Sequence, residues 1–467
     1  MRRTKIIATL GPVSESPERL RQLMQAGVNI FRINMSHAKY DTVRRVTKDI
    51  RAISAELGLH VGLLLDTQGP EIRTGELAEK ITLKAGDKFA FTVRGAKAEG
   101  LHVSINYDDF IDDISIGDVV LVDSGVIRMK ALSKEKDVLH CEVLTPGVMS
   151  SRRHVNLPGV KVNLPALTTK DLNDIDLGLE CGIDYIALSF VREANDVQTL
   201  RQLLTTKGAE RVRIISKVED HQAVKNLNEI IEASDGVMVA RGDLGIEVPY
   251  EELPIIQRRI VKACIQQFKT VIVATHMLES MIQNPMPTRA EITDVANAVF
   301  EQADSVMLSG ESTVGAYPLE CVEVLNRIAE RTERSGGAGY PDGIVPTTDS
   351  QRVVSAAVRL ADAAGATAIC VFTRTGMLAA NTASMRPKCS LIYAFTPEEG
   401  VCRSLTLNYA VRPFQLPFPE APQDTVIAAE KLLRTRNLVK PGDKLVFVTD
   451  MQIQGQRVDS VQLHIIK

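Results

Sequence analysis

Several short apolar runs in this chain end abruptly in residues able to do polar chemistry. Arg32, Asn34, Ser36 and His37 close one, Asp66 and Thr67 another, and Ser189 and Arg192 a third. Lys217 and Glu219 follow a fourth, Arg241-Gly242-Asp243 a fifth, Thr275-His276 a sixth, and Ser309-Gly310-Glu311-Ser312 a seventh. Glu219 and Asp243 fall after consecutive runs, so their carboxylates can converge on one hard cation with positions left for substrate oxygens and water, a pattern typical of Mg²⁺. Lys217 lies two residues before Glu219, and in an extended chain both point to the same side. A lysine beside a divalent cation suits an anion that gains or redistributes charge, such as an enolate or a phosphoryl group in transfer. Arg32 adds a planar fork for phosphate oxygens. Asn34, Ser36, Asp66 and Thr67 together offer several oxygens and one charge, which suits a monovalent cation.

Taken singly, each of these residues has an ordinary explanation as a solvated or paired charge. Arg289 and Glu291 read as a helix start, His221 as a helix-surface residue, and Met277 with Met281 as core. Chance does not fill nearly every run end with such groups.

The elements that must position them alternate. Strand-like runs at 5–10, 28–33, 62–66, 185–190, 213–216, 236–240, 270–274 and 305–308 are separated by amphipathic helical patterns such as 18–25, 42–57, 170–180, 254–267 and 320–334. Eight strands, each followed by a helix, are the number that closes a (β/α)₈ barrel, whose chemistry sits on the loops after the strand C-termini. The third unit is interrupted after Asp66-Thr67-Gln68-Gly69-Pro70 by about a hundred residues with short strand patterns at 80–83, 88–93, 119–122 and 138–143, an all-β insertion. Residues 335–343 are Gly-rich and read as a linker. Beyond it, a helix at 352–363, strands at 368–372 and 391–395, a helix at 425–434 and a strand at 444–448 predict an open-sheet α/β domain.

With 467 residues, 45% of them apolar and 24% charged, the chain has the composition of a globular protein of roughly two to four domains. A net charge of −3 gives no support to nucleic acid or an anionic membrane as partner. No apolar run approaches the eighteen or so residues of a membrane span. The seven cysteines are scattered with no CxxC pair, which reads as reduced thiols and a cytoplasmic location.

The longer motifs are identified as those of the pyruvate kinase family. Thr9-Leu10-Gly11-Pro12, Arg32-Ile33-Asn34-Met35-Ser36-His37 and Asp66-Thr67-Gln68-Gly69-Pro70-Glu71-Ile72-Arg73 resemble it. So do Asn156-Leu157-Pro158-Gly159, Ser216-Lys217-Val218-Glu219, Ala240-Arg241-Gly242-Asp243-Leu244-Gly245, Ala274-Thr275-His276-Met277 and Pro287-Thr288-Arg289-Ala290-Glu291. The resemblance covers essentially the whole chain. It implies a catalytic barrel from 1–69 and 165–337 (domain A), a β lid from 70–164 (domain B) and a regulatory α/β domain from 338–467 (domain C). It also implies phosphoryl transfer from phosphoenolpyruvate to ADP and a homotetramer. By the same resemblance Glu219 and Asp243 bind Mg²⁺ or Mn²⁺, and Lys217 stabilises the transferring group. Arg32 contacts phosphate, while Gly242, Asp243 and Thr275 hold the substrate carboxylate. Asn34, Ser36, Asp66 and Thr67 bind K⁺. Asn34, Met35, Ser36, His37, Arg73 and, from the lid, Arg153 face the nucleotide.

This sequence departs from the family pattern at Gln68, Ser124, His154 and His276, none of them an expected metal ligand. In domain C, Thr373, Arg374, Thr375 and Gly376, with Arg457 from a late loop spanning 454–460, form the expected effector turn. Met377 and Leu378 stand where bisphosphate-activated relatives carry a cation and a hydroxyl, which points away from fructose 1,6-bisphosphate and toward a monophosphate. A barrel lyase acting on an enolate and a catalytically dead binding protein are the competing readings. The first does not account for the lid or domain C, and the second does not account for the intact Lys217, Glu219, Asp243 and Thr275 set.

Overall fold

The computed structural model describes residues 2–388, 390–419, 422–453 and 456–467. Eight parallel strands close a barrel: β1 (Lys5–Thr9), β2 (Ile30–Asn34), β3 (Gly62–Asp66), then, beyond the insertion, β12 (Tyr185–Leu188), β13 (Arg213–Val218), β14 (Gly236–Ala240), β15 (Thr270–Ala274) and β16 (Ser305–Leu308). Their order around the barrel is β1-β16-β15-β14-β13-β12-β3-β2. The strands are apolar on both faces because both are covered. Ile7, Ile30, Leu64, Tyr185, Ile215, Met238, Ile272 and Met307 fill the interior, and the outer faces pack on the surrounding helices. Those helices begin where the chain supplies caps. Thr168 with Asp171, and Thr288 with Glu291, form reciprocal capping boxes that satisfy otherwise orphaned N–H groups. Glu291 is thus a cap, as its sequence position suggests, and Met277 and Met281 are fully buried core.

The insertion holds β4 (Ile81–Leu83), β5 (Lys88–Thr92), β6 (His102–Ser104), β7 (Val119–Val122), β8 (Ile127–Lys134), β9 (Val138–Val143), β10 (Gly147–Met149) and β11 (Val155–Asn156). They form a six-stranded sheet, β11-β7-β8-β9-β5-β6, and a two-stranded one, β10-β4, around their own core that includes Phe89, Phe91, Phe110 and Met129. The chain leaves the barrel at Gly69, whose φ of +74° and close approach to Phe190 and Ser189 leave no room for a side chain.

The C-terminal domain is a five-stranded sheet, β19-β18-β17-β20-β21, with helices on both faces. Its strands are β17 (Ala368–Phe372), β18 (Leu391–Thr396), β19 (Val411–Gln415), β20 (Lys444–Ile453) and β21 (Gln456–Ile465). The first four are parallel and β21 returns antiparallel to β20. This corrects the expected late loop: 456–460 belong to a strand, because the β20 ladder extends well past Val448 and pairs residue by residue with β21. Gln454, Gly455 and the side chain of Arg457 lie outside what is described.

This domain docks on the N-terminal end of the barrel, opposite the strand ends that carry the candidate chemistry. Leu407 enters the barrel's interior cluster. Asp304, at the foot of β16, pairs with Arg386 at 2.6 Å and accepts the Tyr409 N–H at 2.8 Å. Asp184, at the foot of β12, pairs with Arg403 at 2.9 Å and Arg51 at 2.8 Å. Among the described residues, no helix is long and apolar enough to cross a membrane, and the six described cysteines are free.

Candidate active site

At the C-terminal end of the barrel, β2, β3, β12 and β13 bring Arg32, Asp66, Ser189, Lys217 and Glu219 into one contact group. Asp66 is fully buried. Its Oδ2 accepts Arg32 Nε at 2.6 Å, and its Oδ1 lies 3.2 Å from Lys217 Nζ. Lys217 Nζ also donates to Ser189 Oγ at 2.7 Å and lies 2.7 Å from Glu219 Oε1. That last contact is an ion pair without hydrogen-bond alignment, so Glu219 Oε1 remains a buried oxygen with no hydrogen-bond partner. Its other oxygen accepts the Phe190 N–H at 2.7 Å.

The charges are set by this arrangement. Burial works against a charged Lys217, yet Asp66 and Glu219 outweigh it and hold the ammonium firmly protonated. Burial likewise opposes charge on Asp66, but Arg32 and Lys217 keep its carboxyl below the usual range. Glu219 goes the other way: burial pushes its carboxyl up, Lys217 only partly offsets this, and the like charge of Asp243 adds to it.

A second group lies on β14 and β15. Gly242 N–H donates to Thr275 Oγ1 at 2.8 Å, which leaves that N–H and the hydroxyl side by side at the head of the helix Arg241–Glu247. Asp243, in its first turn, makes no hydrogen bond or ion pair among the described residues. Arg241 is a strut: it reaches the Thr275 carbonyl and pairs with Asp294 at 2.7 Å. Phe190, Thr275 and His276 all have φ between +52° and +65°. Such conformations cost about 1–3 kcal/mol each and cluster where geometry matters more than stability.

The residues present fit a divalent cation. Glu219 offers a buried oxygen without an aligned hydrogen bond and a carboxyl that burial pushes up, and Asp243, which has no hydrogen bond or ion pair among the described residues, adds to that push. Among the described residues no three His, Cys, Asp or Glu side chains form a protein-only cage. Two carboxylates with open positions are what a hard cation needs when substrate supplies the remaining oxygens.

The expected monovalent-cation group is partly committed elsewhere. Asn34 Oδ1 accepts Ser36 N–H at 3.1 Å, Thr67 Oγ1 is 3.3 Å from the Ala187 carbonyl, and both Asp66 oxygens face cationic side chains. Of the expected nucleotide residues, His37 is exposed, and Met35 is buried with its carbonyl bound by Lys170. Arg73 is held by Glu71 at 2.6 Å, and Arg153 by Asp123 at 3.2 Å and by Ser150. A cleft of about 460 Å³ between lid and barrel runs past Glu219, Phe190, His154, Asn156 and Glu247. The lid meets the barrel there through Asn156 Nδ2 donating to Glu247 Oε1 at 2.8 Å, and through His154 edge-on to Phe190 with ring centroids 6.0 Å apart. Ser189, the hub beneath Lys217, had no assigned role in the sequence; its only signal was a hydroxyl directly at a strand end.

A parallel eight-stranded barrel with paired carboxylates, a buried lysine and an all-β domain inserted after its third strand defines a metal-assisted enzyme acting on small anions. Family models described as "Pyruvate kinase, barrel domain" and "Pyruvate kinase, alpha/beta domain" match residues 1–322 and 351–464. Pyruvate kinase of Geobacillus stearothermophilus is 40% identical across 100% of this chain and 80% of its own length. Plastidial pyruvate kinase 2 of Arabidopsis thaliana is also 40% identical, over 96% of this chain and 78% of its own. A solved pyruvate kinase structure from Cryptosporidium parvum superposes with a TM-score of 0.94 at 34% identity, covering 100% of this chain and 96% of that one. The chain belongs to the pyruvate kinase family, enzymes that convert phosphoenolpyruvate and ADP to pyruvate and ATP in glycolysis and require a divalent metal.

Proposed function

We propose that Lys217, Glu219, Asp243, Arg32 and Thr275 carry the transfer, with Mg²⁺ (or Mn²⁺) as the divalent ion and K⁺ as a second cofactor. The carrying observation is Lys217 Nζ, buried between Asp66, Glu219 and Ser189 with its charge fixed. An ammonium held in place before substrate arrives stabilises negative charge as it shifts, without reorganising. Arg32, anchored through Nε on Asp66 and by Nη1 to Thr9 Oγ1 at 3.1 Å, presents the rest of its fork to a phosphate. The Gly242 and Asp243 backbone and the Thr275 hydroxyl receive the substrate carboxylate, exchanging for it the bonds they make here, Gly242 N–H to Thr275 Oγ1 at 2.8 Å and Thr275 Oγ1 to the Ala274 carbonyl at 2.6 Å. The divalent ion, held by Glu219 and Asp243, supplies charge neutralisation between two polyanionic substrates. Closing the lid over the cleft excludes water from the phosphoryl group.

The same reading gives Asn34, Met35, Ser36, His37, Arg73 and Arg153 to the nucleotide. It gives Asn34, Ser36, Asp66 and Thr67 to K⁺. Glu71 supports it, since family members with an acidic residue there depend on K⁺. The domains divide at 69/70, 164/165 and 337/338, the assembly is a homotetramer, and free thiols favour the cytoplasm. In domain C, Thr373, Arg374, Thr375 and Gly376, with Arg457, form a turn for a monophosphate effector. Thr373 Oγ1 takes the Gly376 N–H at 2.9 Å, and Arg374 lies over the Phe418 ring.

A coupled assay with phosphoenolpyruvate and ADP tests the assignment. Turnover requires K⁺, and Lys217→Met lowers kcat far more than it raises KM. Full activity in K⁺-free tetramethylammonium buffer overturns the K⁺ site, and a pure KM effect overturns the role of Lys217.

A further inference from the structure

The inserted domain meets one short helix of the barrel, Arg241–Glu247, at two points. The edge strand β11 of the insertion pairs with β7, Asn156 opposite Leu121, and β7 turns into β8 through Asp123, Ser124 and Gly125, all at positive φ. Both parts of this edge reach the last turn of the helix. Asn156 Nδ2 donates to Glu247 Oε1 at 2.8 Å, and Gly125 lies so near Ile246 that a Cβ there would stand 3.4 Å from Ile246 Cγ2. The first turn of the same helix carries Gly242 and Asp243. Seven residues at the helical rise make a rod of about 10 Å, and Asp243 and Glu247, four apart, share one face of it. One rigid element thus has substrate-facing groups at its head and the inserted domain at its foot.

Two observations separate the Asn156–Glu247 contact from ordinary packing. Asn156 is 5% exposed, and its buried Oδ1 has no hydrogen-bond partner among the described residues, so the amide is committed to this single bond. Glu247 likewise makes no other hydrogen bond or ion pair among the described residues. The second observation concerns the head of the helix. Arg241 fixes it to Asp294 at 2.7 Å, but the Gly242 N–H bond to Thr275 Oγ1 is one that an arriving substrate carboxylate must displace. While that exchange takes place, the helix depends on the hold at its foot.

We propose that Asn156 and Glu247 are positioning residues for the transfer: their bond lets the seated lid fix the helix that presents the Gly242 N–H to the substrate carboxylate and Asp243 to the divalent ion. This coupling rests on the roles given above to Gly242 and Asp243. A lid that swings away releases the foot of the helix, and a lid that seats holds it again. Loss of the bond is felt as weaker capture of substrate and metal rather than slower transfer, because the bound ligands themselves draw the helix back into place.

Exchanging the partners tests this, read by kinetics in phosphoenolpyruvate and by electron paramagnetic resonance of Mn²⁺ binding to the substrate-free protein. Asn156→Asp sets two carboxylates against each other. It is expected to raise both the KM for phosphoenolpyruvate and the Mn²⁺ dissociation constant roughly five- to tenfold, the weight of one buried hydrogen bond, with kcat within about twofold of wild type. Glu247→Gln keeps an acceptor for Nδ2 and offers its own N–H to Asn156 Oδ1, so both values stay at wild type. In the double variant Asn156→Asp/Glu247→Gln, amide and carboxylate have changed places and both values return toward wild type. Damage to the fold of the inserted domain would not be repaired by a substitution in the barrel. Unchanged KM and Mn²⁺ affinity in Asn156→Asp overturn the coupling, as does a loss confined to kcat or a double variant no better than Asn156→Asp alone. Asp243→Asn checks the assignment beneath it and is expected to lose Mn²⁺ binding. Undiminished binding there takes Asp243 out of the metal site, and the coupling falls with it. Loss in Asp243→Asn beside normal binding in Asn156→Asp overturns the coupling alone.

Discussion

The two ends of the barrel bury acidic groups in opposite ways. At the lower end Asp304 is saturated: Arg386 and the Val271 N–H meet Oδ2, and the Tyr409 N–H meets Oδ1. Asp184 is equally tied, to Arg51, Arg403 and the Leu63 N–H. At the upper end Asp66 is tied by Arg32, Lys217 and Ser189, but Glu219 keeps an unaligned oxygen, the half-buried Asp243 has no hydrogen bond or ion pair among the described residues, and three nearby residues sit at strained positive φ. The same scaffold therefore uses buried charge as a fastener below and as reactive capacity above. A saturated carboxylate costs its desolvation once and contributes specificity to docking. An unsaturated one stays costly until substrate and cation complete it.

Breaking the upper end is expected to have the largest effect. Glu219→Gln or Asp243→Asn abolishes measurable turnover, and Lys217→Met lowers kcat by on the order of 10²–10³-fold, with far-UV circular dichroism unchanged. A substantially active Glu219→Gln enzyme would mean that this end is merely another fastener. Asp304→Asn is the reverse experiment. It leaves Arg386 buried without a counter-charge at a cost of about 3–5 kcal/mol, read as a lower denaturant midpoint, while kcat barely moves.

Lys5 sharpens the comparison, because it is a buried cation at the lower end whose Nζ, among the described residues, donates only to the Val411 carbonyl, at 2.5 Å. Burial, with the nearby Arg2 adding to it, pulls its pKa down to about 7. The unfolded chain binds this proton up to about pH 10.4, so between those values it holds more protons than the folded state. Stability contributed at this site therefore rises with pH from about 7 toward 10. Urea midpoints at pH 6.5 and 9 should show that rise in the wild type and lose it in Lys5→Met.

The smallest effect is expected from His154→Gly, which removes the ring set against Phe190. Aromatic contacts of this type contribute about 0.5–1.5 kcal/mol, so KM for ADP should rise a few-fold with kcat nearly unchanged.

The upper end was far more legible in the sequence than the lower. Arg32, Lys217, Glu219 and Asp243 each follow an apolar run, so period and position alone place them together. Asp304 and Asp184 precede such runs and pair with Arg386 and Arg403 from a separate domain, and no local pattern encodes that distance. β19 was missed because Val411-Arg412-Pro413-Phe414-Gln415 contains a proline, which argues against a strand except at a sheet edge, where β19 lies. β8 carries a readable signal, since Ile127, Met129 and Ala131 are buried in a regular period of two. What the sequence does not encode at Asp66 is its neighbours in space: Arg32, Lys217 and Ser189 come from three other strands or strand ends and engage both of its oxygens.

Barrel closure also has a consequence for how the chain is made. β1 needs two neighbours; β2 emerges soon after it, but Lys5 finds its other partner only at Ser305. β3 in turn waits for β12, with Leu64 opposite Tyr185 across the whole lid. At about 5–20 residues per second on the ribosome, the edge of β1 stays open for roughly 15–60 s. During that time it is a template for unwanted strand addition. The lid, with its own core and emerging in between, can collapse early and draw its two ends together. Were it to fold first, it would shorten the effective loop that β3 must close to reach β12, a use of the insertion that precedes any role it has over the finished barrel.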